Sequence, residues 1–361
     1  MSGTKLRPGV VTGDEYLQLL QACKEGGYAL PAVNVTGTNS LNAVMETAAK
    51  AKSDIIIQMS NGGARFYAGE GAPDAMRARV FGSLSIAQHV HLLAEEYGIC
   101  AVMHTDHCNR KLLPWVMGLI EKSEDHFKKT GKPIFSSHMV DLSAEPLKEN
   151  VATCAEILKR MAPMNMSLEI ELGVTGGEED GIGAELTSDS DVGNPKLYTQ
   201  PEDVLYAYDQ LSPIGHVTIA ASFGNVHGVY APGNVKLRPV ILKNSQDLVA
   251  KERHLPPKPL SLVFHGGSGS PKEQIREAVS YGVFKMNIDT DVQFAFAHAV
   301  AANMDANPKA FKYQVDPEDH TPYKKFYDPR KWLRAGELGM IARLEEAMHD
   351  LGSAGRTLAA G

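Results

Sequence analysis

The chain has 361 residues, of which 43% are hydrophobic and 22% are charged, and its formal net charge is -7. This composition is typical of a globular protein with a sizeable core, and the acidic balance argues against a surface that binds nucleic acid through its phosphates. No apolar run reaches the roughly 20 residues that a membrane span needs, and the amino-terminal residues lack the apolar core of a signal peptide, so we expect a cytoplasmic protein.

A helix and then eight short apolar runs follow from the amino terminus. The helix is predicted over residues 14–25, with Thr12 or Asp14 as its cap. The apolar runs predict strands over residues 29–35, 54–60, 99–106, 134–141, 166–173, 216–224, 260–267 and 282–290. Helical spacing of apolar residues is found between them, as at residues 41–52, 84–97, 112–127 and 151–161. Two more helices are predicted over residues 292–304 and 332–351, joined by a polar segment around residues 308–329.

This alternation predicts an α/β fold with a parallel sheet, because the strands are apolar almost throughout and the helices are amphipathic. Eight repeats favour closure of the sheet into a (β/α)8 TIM barrel. We expect the N-terminal helix to cover the amino-terminal end of the barrel, and residues 291–361 to form a C-terminal helical extension. No change in composition marks a second domain, so residues 1–361 are predicted to form a single barrel domain.

Polar side chains follow the carboxyl ends of the predicted strands. In chain order they are Asn34, Ser60, Asp106, His107, Asp141, Glu171, His227, His265, Asn287 and Asp289. These strand ends meet at one rim of a barrel, where active sites of the fold are built, so we expect the side chains to line one cavity. Three histidines with an open coordination position are typical of a catalytic zinc site, and a metal centre is therefore the leading interpretation.

Two details of this rim depend on local geometry. Asp106 and His107 are consecutive, so both can face the cavity only if the backbone turns there, and Asn109 is expected to cap the helix that follows. Asp141 and Glu171 could hold a second or alternate metal ion or orient the histidines, and a buried hydrogen bond is the simpler alternative.

Glycine-rich and helix-initiating segments indicate phosphate binding. Residues 265–270 follow the seventh strand and precede a helix, and residues 287–290 end the eighth strand directly before another helix. Backbone N–H groups at such places bind anions, although glycines also make ordinary tight turns. Gly228 could bring a third loop close to the same anion.

The loop after the fifth predicted strand runs from Val174 to about Pro195 and is long for a compact domain. Its glycines surround three consecutive acids, Glu178, Glu179 and Asp180. This pattern favours a hinged lid that carries a general acid or base, and a solvated acidic surface loop is the alternative.

Eight long motifs are HTDHC at 104–108, KLLPW at 111–115, FSSHM at 135–139, LEIELG at 168–173, TGGEEDG at 175–181, ASFGNVHG at 221–228, FHGGSGS at 264–270 and KMNIDT at 285–290. Together they closely resemble the class II fructose-bisphosphate aldolases, and more narrowly the dimeric subgroup found in bacteria and fungi. The resemblance spans nearly the whole chain. It implies metal-dependent, reversible cleavage of fructose 1,6-bisphosphate to dihydroxyacetone phosphate and glyceraldehyde 3-phosphate, a step of glycolysis and gluconeogenesis.

The resemblance also implies a metal set. By similarity, His107, His227 and His265 would bind a catalytic Zn2+, for which Co2+ could substitute, while Asp141 and Glu171 would form a second divalent position. The zinc would polarise the carbonyl of dihydroxyacetone phosphate. A monovalent cation, K+ or Na+, would lie near Val226, Gly228, Gly266 and Ser268.

Catalytic and substrate-binding roles follow from the same similarity. Glu179, in preference to Glu178, would exchange the proton next to the carbonyl, and Asp106 would transfer the proton of the aldehyde-derived oxygen. Asn287 would donate a hydrogen bond to the enediolate oxygen. The substrate-binding residues would be Asn34, Ser60, Gly228, Gly266, Gly267, Ser268, Asn287, Ile288, Asp289, Thr290 and Arg330. In a homodimer, Arg330 could reach the phosphate in the partner's site.

Other readings of the same residues stay open. A Schiff-base aldolase would use a lysine such as Lys285, although an interior ion pair between Lys285 and Glu169 is favoured. A three-histidine zinc could also activate water, as in a hydrolase, and tagatose bisphosphate is an alternative sugar substrate. A non-catalytic binding protein is the last alternative, and the sequence shows no exposed apolar stripe that would support it.

Overall fold

The structure is a computed structural model that describes residues 5–173, 198–225 and 237–360, together with the backbone of residues 177–179 and 182–184. Its strands are β1 (Gly9–Val10), β2 (Leu30–Asn34), β3 (Ile55–Met59), β4 (Cys100–Thr105), β5 (Ser137–Val140), β6 (Ser167–Leu172), β7 (Gly177–Glu179), β8 (Ile182–Ala184), β9 (Val217–Ala221), β10 (Leu262–Phe264) and β11 (Val283–Asn287).

Most of the described helices lie between the strands or follow the last one. They are α1 (Asp14–Gly26), α2 (Thr38–Ala51), α3 (Asn61–Ala68), α4 (Ala75–Leu93), α5 (Leu113–Thr130), α6 (Leu147–Met161), α7 (Pro201–Leu211), α8 (Val240–Arg253), α9 (Lys272–Ser280), α10 (Thr290–Asp305), α11 (Lys324–Tyr327) and α12 (Pro329–Asp350).

Eight parallel strands close into a barrel in the order β2, β3, β4, β5, β6, β9, β10, β11, and β11 pairs with β2 through Lys285 and Leu30. Each of these strands lies inside its predicted range, so the (β/α)8 prediction is confirmed. The short β1 adds to the amino-terminal part of β4, and β7 and β8 form a separate antiparallel ribbon after β6. Among the described residues, none of the helices is both long and apolar enough to cross a bilayer.

Helix α1 closes the amino-terminal end of the barrel, as predicted. Leu19 and Leu20 of α1 join an interior cluster with strand residues such as Ala32, Ile56 and Val102. A second, larger cluster fills the space between the outer faces of the strands and the surrounding helices. The barrel interior is therefore packed at one end, and its open positions lie toward the carboxyl ends of the strands.

The predicted cap of α1 is wrong. Gly13 is the N-cap residue, and no side chain caps the helix there. Asp14 is already helical, and its carboxylate accepts a hydrogen bond from the Asn165 side chain at 2.6 Å. The acidic side chain therefore ties α1 to the chain before β6 instead of binding its own backbone.

The C-terminal extension packs against the amino-terminal half of the barrel. Helix α12 lies between α10 and α2, and the close approach of α10 needs Gly339, whose added Cβ would lie 2.6 Å from the Ala295 carbonyl oxygen. Asp54, which precedes β3, accepts bonds from the Thr357 hydroxyl at 2.6 Å and the Leu358 N–H at 2.8 Å. These bonds anchor the end of the chain beneath the barrel.

Candidate active site

Inward-facing positions change from apolar to polar along the barrel strands. On β4, Val102 belongs to the interior apolar cluster, whereas His104 and then Asp106, two and four residues further on, contact polar partners. On β2, Ala32 is followed in the same way by Asn34. Because alternate residues of a strand share a face, this change builds a polar layer above an apolar plug.

Three side-chain amides converge on the Asp106 carboxylate. Asn34 Nδ2 lies 3.0 Å and Gln58 Nε2 lies 2.9 Å from Oδ2, while Asn287 Nδ2 lies 3.2 Å from Oδ1. Burial would raise the pKa of this carboxyl, but its neighbour His107, the Lys285 ammonium and the Asn34 amide outweigh that effect and lower it to about 2. Asp106 is therefore a fully buried, ionised acceptor held by neighbouring strands.

The backbone turns at His107, as predicted. Its φ angle is 31°, in the left-handed region that a residue with a side chain rarely adopts. The Asp141 N–H donates to the Cys108 carbonyl at 2.9 Å, which ties the turn to the end of β5, and Asn109 caps the following turn through the Lys111 N–H. This conformation places Asp106 and His107 on the same side, so both side chains face the cavity.

The imidazoles of His107 and His265 face each other. His107 Nε2 lies 3.0 Å from His265 Nδ1, and the rings are nearly perpendicular. Each outer nitrogen meets a carboxylate: His107 Nδ1 lies 3.1 Å from Asp141 Oδ2, and His265 Nε2 lies 2.8 Å from Glu169 Oε1. A carboxylate only accepts, so both outer nitrogens donate, and in the neutral imidazoles both inner nitrogens then present lone pairs to each other.

Two imidazoles that present lone pairs to each other form a pair of ligands for a cation, and their spacing fits a divalent metal. Two ligands of a tetrahedral zinc at ~2.0–2.1 Å stand roughly 3.3 Å apart, close to the separation of the two inner nitrogens. Histidines that bind metals characteristically donate their other N–H to a carboxylate, which is the arrangement here. The donor set, its burial and its hydrogen bonds therefore fit the implied ion.

Asp141 and Glu171 lie beside His107. Glu171 Oε2 is 3.8 Å from His107 Nδ1 and 4.0 Å from His265 Nδ1, and the ligand atoms of His107, Asp141 and Glu171 are close enough to share one ion. Burial would raise the pKa of Asp141, but hydrogen bonds from His107 and from Ser143 lower it well below its ordinary value. Both carboxylates are thus placed to orient His107 or to bind a metal in an alternate position.

The two predicted phosphate segments meet. The Asp291 N–H in the first turn of α10 donates to the Ser268 hydroxyl at 3.4 Å, which joins the loop after β10 to the helix after β11. Gly266 has a φ of 59°, and an added Cβ at Gly267 would lie 2.6 Å from Met286 Cγ. Ile288 is buried beneath this junction, and Asp289 and Thr290 begin α10.

The remaining predicted phosphate residues are more widely spread. Ser60 caps α3 by accepting from the Gly63 N–H at 3.1 Å, and Asn34 is held on Asp106. Arg330 lies at the start of α12, where its exposed guanidinium pairs with Asp328 at 2.6 Å. In the described part of the chain, Arg330 makes no bond to another predicted site residue.

Several predicted site residues lie outside the described residues. They are Val226, His227 and Gly228, whereas Glu179 is described only by its backbone, which pairs with Ile182 in the β7–β8 ribbon. The third zinc ligand, the monovalent cation contacts at Val226 and Gly228, and the position of the lid carboxylate stay predictions.

Some residues of the site were missed in the sequence. Gln58 follows three isoleucines and has the same parity as Ile56, which faces the barrel interior. A single amide inside an apolar strand is therefore the sequence feature that could have identified Gln58 as a site residue. His104 lies two residues before Asp106 and bonds Ser137 Oγ at 2.7 Å. Asn225 donates to the His265 carbonyl at 2.9 Å and steadies the turn that carries this imidazole.

Known proteins resemble this chain over almost its whole length. The family model described as fructose-bisphosphate aldolase class-II matches residues 14–356. Fructose-bisphosphate aldolase of Haemophilus influenzae and fructose-bisphosphate aldolase class 2 of Escherichia coli are each 54% identical over 351 residues, which is 96% of this chain and 96% of each relative. The crystal structure of a fructose-bisphosphate aldolase from Campylobacter jejuni matches with a TM-score of 0.88 and 50% identity, covering 98% of both chains. The family match contains the whole barrel and all of the candidate site.

Proposed function

Because this chain belongs to the class II fructose-bisphosphate aldolase family, we propose that the polar layer at the carboxyl ends of its barrel strands is the site of the aldol reaction. The chain is a carbon–carbon lyase that cleaves fructose 1,6-bisphosphate reversibly to dihydroxyacetone phosphate and glyceraldehyde 3-phosphate, a step of glycolysis and gluconeogenesis. The names of its relatives favour this substrate over tagatose bisphosphate and this reaction over hydrolysis. The observation that carries the site assignment is the facing pair of imidazoles, each held by a carboxylate.

The imidazole pair would hold a zinc ion, for which Co2+ could substitute. His107 and His265 would bind it through their inner nitrogens, with His227 as the third ligand and Asp141 and Glu171 at a second divalent position. When bound, the ion would supply a positive charge that polarises the substrate carbonyl.

The proton transfers would be made by two carboxylates. Asp106 is ionised and faces the cavity, so it would accept the hydroxyl proton of the aldehyde-derived half during cleavage and return it during condensation. Glu179 on the ribbon after β6 would exchange the proton on the carbon next to the carbonyl. One N–H of the Asn287 amide would donate to the enediolate oxygen, while the other N–H keeps its bond to Asp106.

The phosphates would bind at two places on the rim. The first is the junction of the β10 loop and α10, from Gly266 to Ser268 and from Asn287 to Thr290, joined by Gly228. A K+ or Na+ ion would lie beside it, near Val226, Gly228, Gly266 and Ser268. The second phosphate would meet Asn34 and Ser60, together with an Arg330 from the partner of a homodimer, since the chain's own Arg330 pairs with Asp328.

The test of the site is cleavage of fructose 1,6-bisphosphate with and without EDTA, followed by restoration of Zn2+ or Co2+. We expect loss of turnover with EDTA and recovery with either ion, and a much lower rate with tagatose 1,6-bisphosphate. Undiminished cleavage after complete metal removal would contradict the metal assignment. Covalent labelling of Lys285 by borohydride in the presence of substrate would replace it with a Schiff-base mechanism. A cytoplasmic location is a further proposal, which localisation of a tagged chain would check.

A further inference from the structure

A buried ion pair lies beneath the imidazoles. Glu169 on β6 and Lys285 on β11 are each 1% exposed, and Lys285 Nζ lies 2.9 Å and 3.0 Å from the two carboxylate oxygens of Glu169. The ion pair favoured from the sequence is confirmed. One of these oxygens, Oε1, also meets His265 Nε2 at 2.8 Å.

The geometry of this pair determines which nitrogen of His265 carries the proton. Glu169, ionised beside Lys285, can only accept, so His265 Nε2 donates to it and the lone pair lies on Nδ1. That nitrogen is the one that faces His107 Nε2. The Asn225 bond to the His265 carbonyl holds the backbone of the same residue, while Glu169 holds its ring.

Lys285 keeps the carboxylate in this role. Because the ammonium bonds both oxygens, the orientation of the Glu169 carboxylate is fixed and its charge is balanced inside the barrel. A register shift between β10 and β11 allows this arrangement: Val263 pairs with Lys285, whereas Leu262 pairs with Val283. The extra residue, Phe284, joins the apolar plug, so Phe284 and Lys285 both contribute to the interior.

Packing alone does not explain the pair. A buried ion pair contributes little stability compared with apolar side chains of similar size, so its value lies in what the oriented charge does. The Glu169 carboxylate of this pair contacts His265 Nε2 and, at 3.5 Å, His104 Nε2.

We propose that Glu169, held in place by Lys285, is a positioning residue that fixes the tautomer and ring orientation of His265 and thereby sets the metal affinity of the site. This inference rests on the proposed function only in taking His265 as a metal ligand. It makes Lys285 a support of the metal centre, with its ammonium bonded to both oxygens of Glu169.

Two double variants with the same net charge test the proposal. Glu169→Met/Lys285→Met removes both charges and the acceptor for His265, whereas Glu169→Gln/Lys285→Met removes both charges and keeps an amide oxygen as acceptor. The dissociation constant for Zn2+ is measured by competition with a chromophoric chelator, and the visible spectrum of the Co2+ form reports the ligand geometry. Melting of both metal-free variants controls for folding.

We expect the Met/Met variant to bind Zn2+ roughly 10- to 100-fold more weakly than the wild type and to show an altered Co2+ spectrum. The Gln/Met variant should stay much closer to the wild type in both measurements. Equal affinities in all three proteins, or equal losses in the two variants, would overturn the positioning role.

Nitrogen-15 spectra of the wild-type imidazoles give a measurement that does not depend on the variants. With Zn2+ bound, His265 should show a protonated Nε2 and a metal-bound Nδ1, and the opposite tautomer would refute the inference. Wild-type protein that binds no Zn2+ at all would overturn the metal assignment of the proposed function, and this inference with it, whereas tight wild-type binding with unaffected variants overturns this inference alone.

Discussion

At the scale of single residues, the site depends on polar side chains that are buried but fully bonded. Asp106 accepts three amide bonds from three other strands, which keeps a charged group in the barrel interior. Such a carboxylate is fixed in orientation before substrate arrives, so no reorganisation is needed when it accepts a proton.

Replacing Asp106 by Asn removes the proton acceptor and keeps the shape of the side chain. We expect kcat to fall by ~10²–10⁴-fold, the usual scale for a general acid–base group, while bound zinc is unchanged. Steady-state cleavage and metal analysis of the purified variant measure both. Gln58→Met is the matched control, since it removes one donor and keeps the carboxylate, and its kcat should fall far less. A kcat near the wild-type value in Asp106→Asn would refute the assigned role.

Burial of His138 predicts a pH dependence of the stability of the fold. It is buried on β5 beside Thr105, and burial lowers its pKa to about 3. Between the ordinary pKa of 6.5 and about 3, only the unfolded chain binds this proton. Stability from this residue is therefore complete above pH 6.5 and is lost as the pH falls, by at most about 1.4 kcal/mol per pH unit.

The measurement is the drop in melting temperature from pH 7 to pH 5. His138→Gln should show a smaller drop than the wild type, because the group that takes up the proton is gone. The exposed His349 provides the control, and His349→Gln should keep the wild-type drop. An unchanged drop in His138→Gln would show that burial of this imidazole does not contribute.

At the scale of elements, the loop after β10 at the carboxyl rim is closely packed. The loop after β10 passes so near β11 that Gly267 has no room for a side chain, since its added Cβ would lie 3.0 Å from the Asn287 carbonyl oxygen and closer still to Met286. This contact sets the position of the loop relative to α10.

Gly267→Ala should therefore displace the proposed phosphate loop. We expect a higher KM for fructose 1,6-bisphosphate and a lower melting temperature, because Met286 is buried and cannot move away freely. Gly71→Ala is the control, since it has open space around the added Cβ. Unchanged KM and melting temperature in Gly267→Ala would contradict the predicted crowding.

The β7–β8 ribbon carries two neighbouring glutamates of which one is proposed to act. The backbones of Glu178 and Glu179 pair with Gly183 and Ile182. Glu179→Ala should lose most turnover and retain its zinc, whereas Glu178→Ala should retain most turnover. Exchange of the dihydroxyacetone phosphate proton with solvent measures the step directly, and the reverse ranking would assign the role to Glu178.

At the scale of the whole molecule, the residues that stabilise the barrel and the residues of the candidate site lie at opposite ends of it. Helix α1 and the interior apolar cluster fill the amino-terminal end, while the carboxyl end holds the charged and amide side chains. The C-terminal extension joins α2, and Arg330 at the start of α12 is directed to its own Asp328. Because the guanidinium of Arg330 does not bond the site residues of its own chain that the structure describes, we propose that it binds the phosphate in the partner's site.

Mixed dimers test that arrangement. Arg330→Ala and His265→Ala should each be nearly inactive, but a mixture in which subunits exchange should regain roughly a quarter of wild-type activity if Arg330 acts across the interface. One of the two sites in each mixed dimer would then be intact. Sedimentation of the mixture checks that dimers form, and dimers without regained activity would place Arg330 in its own subunit's site or outside the reaction.

The sequence predicts the local features of this fold and site better than the contacts between distant segments. The eight strands and the turn at His107 were predictable, because apolar periodicity and polar strand ends are local properties of the chain. The cap of α1 was not, because Asp14 binds Asn165, which is distant in sequence. Gln58 was overlooked since a single amide in an apolar run does not reveal which carboxylate it will meet.

The order of residues alone determined a barrel of alternating strands and helices, with its chemistry at the carboxyl ends of the strands, because side-chain parity and helical periodicity are set by neighbours in the chain. Only the tertiary structure decided that Glu169 would hold His265, that three amides would share Asp106 and that the two imidazoles would face each other. Those contacts join strands more than forty residues apart, and they depend on how the sheet closes and in which register.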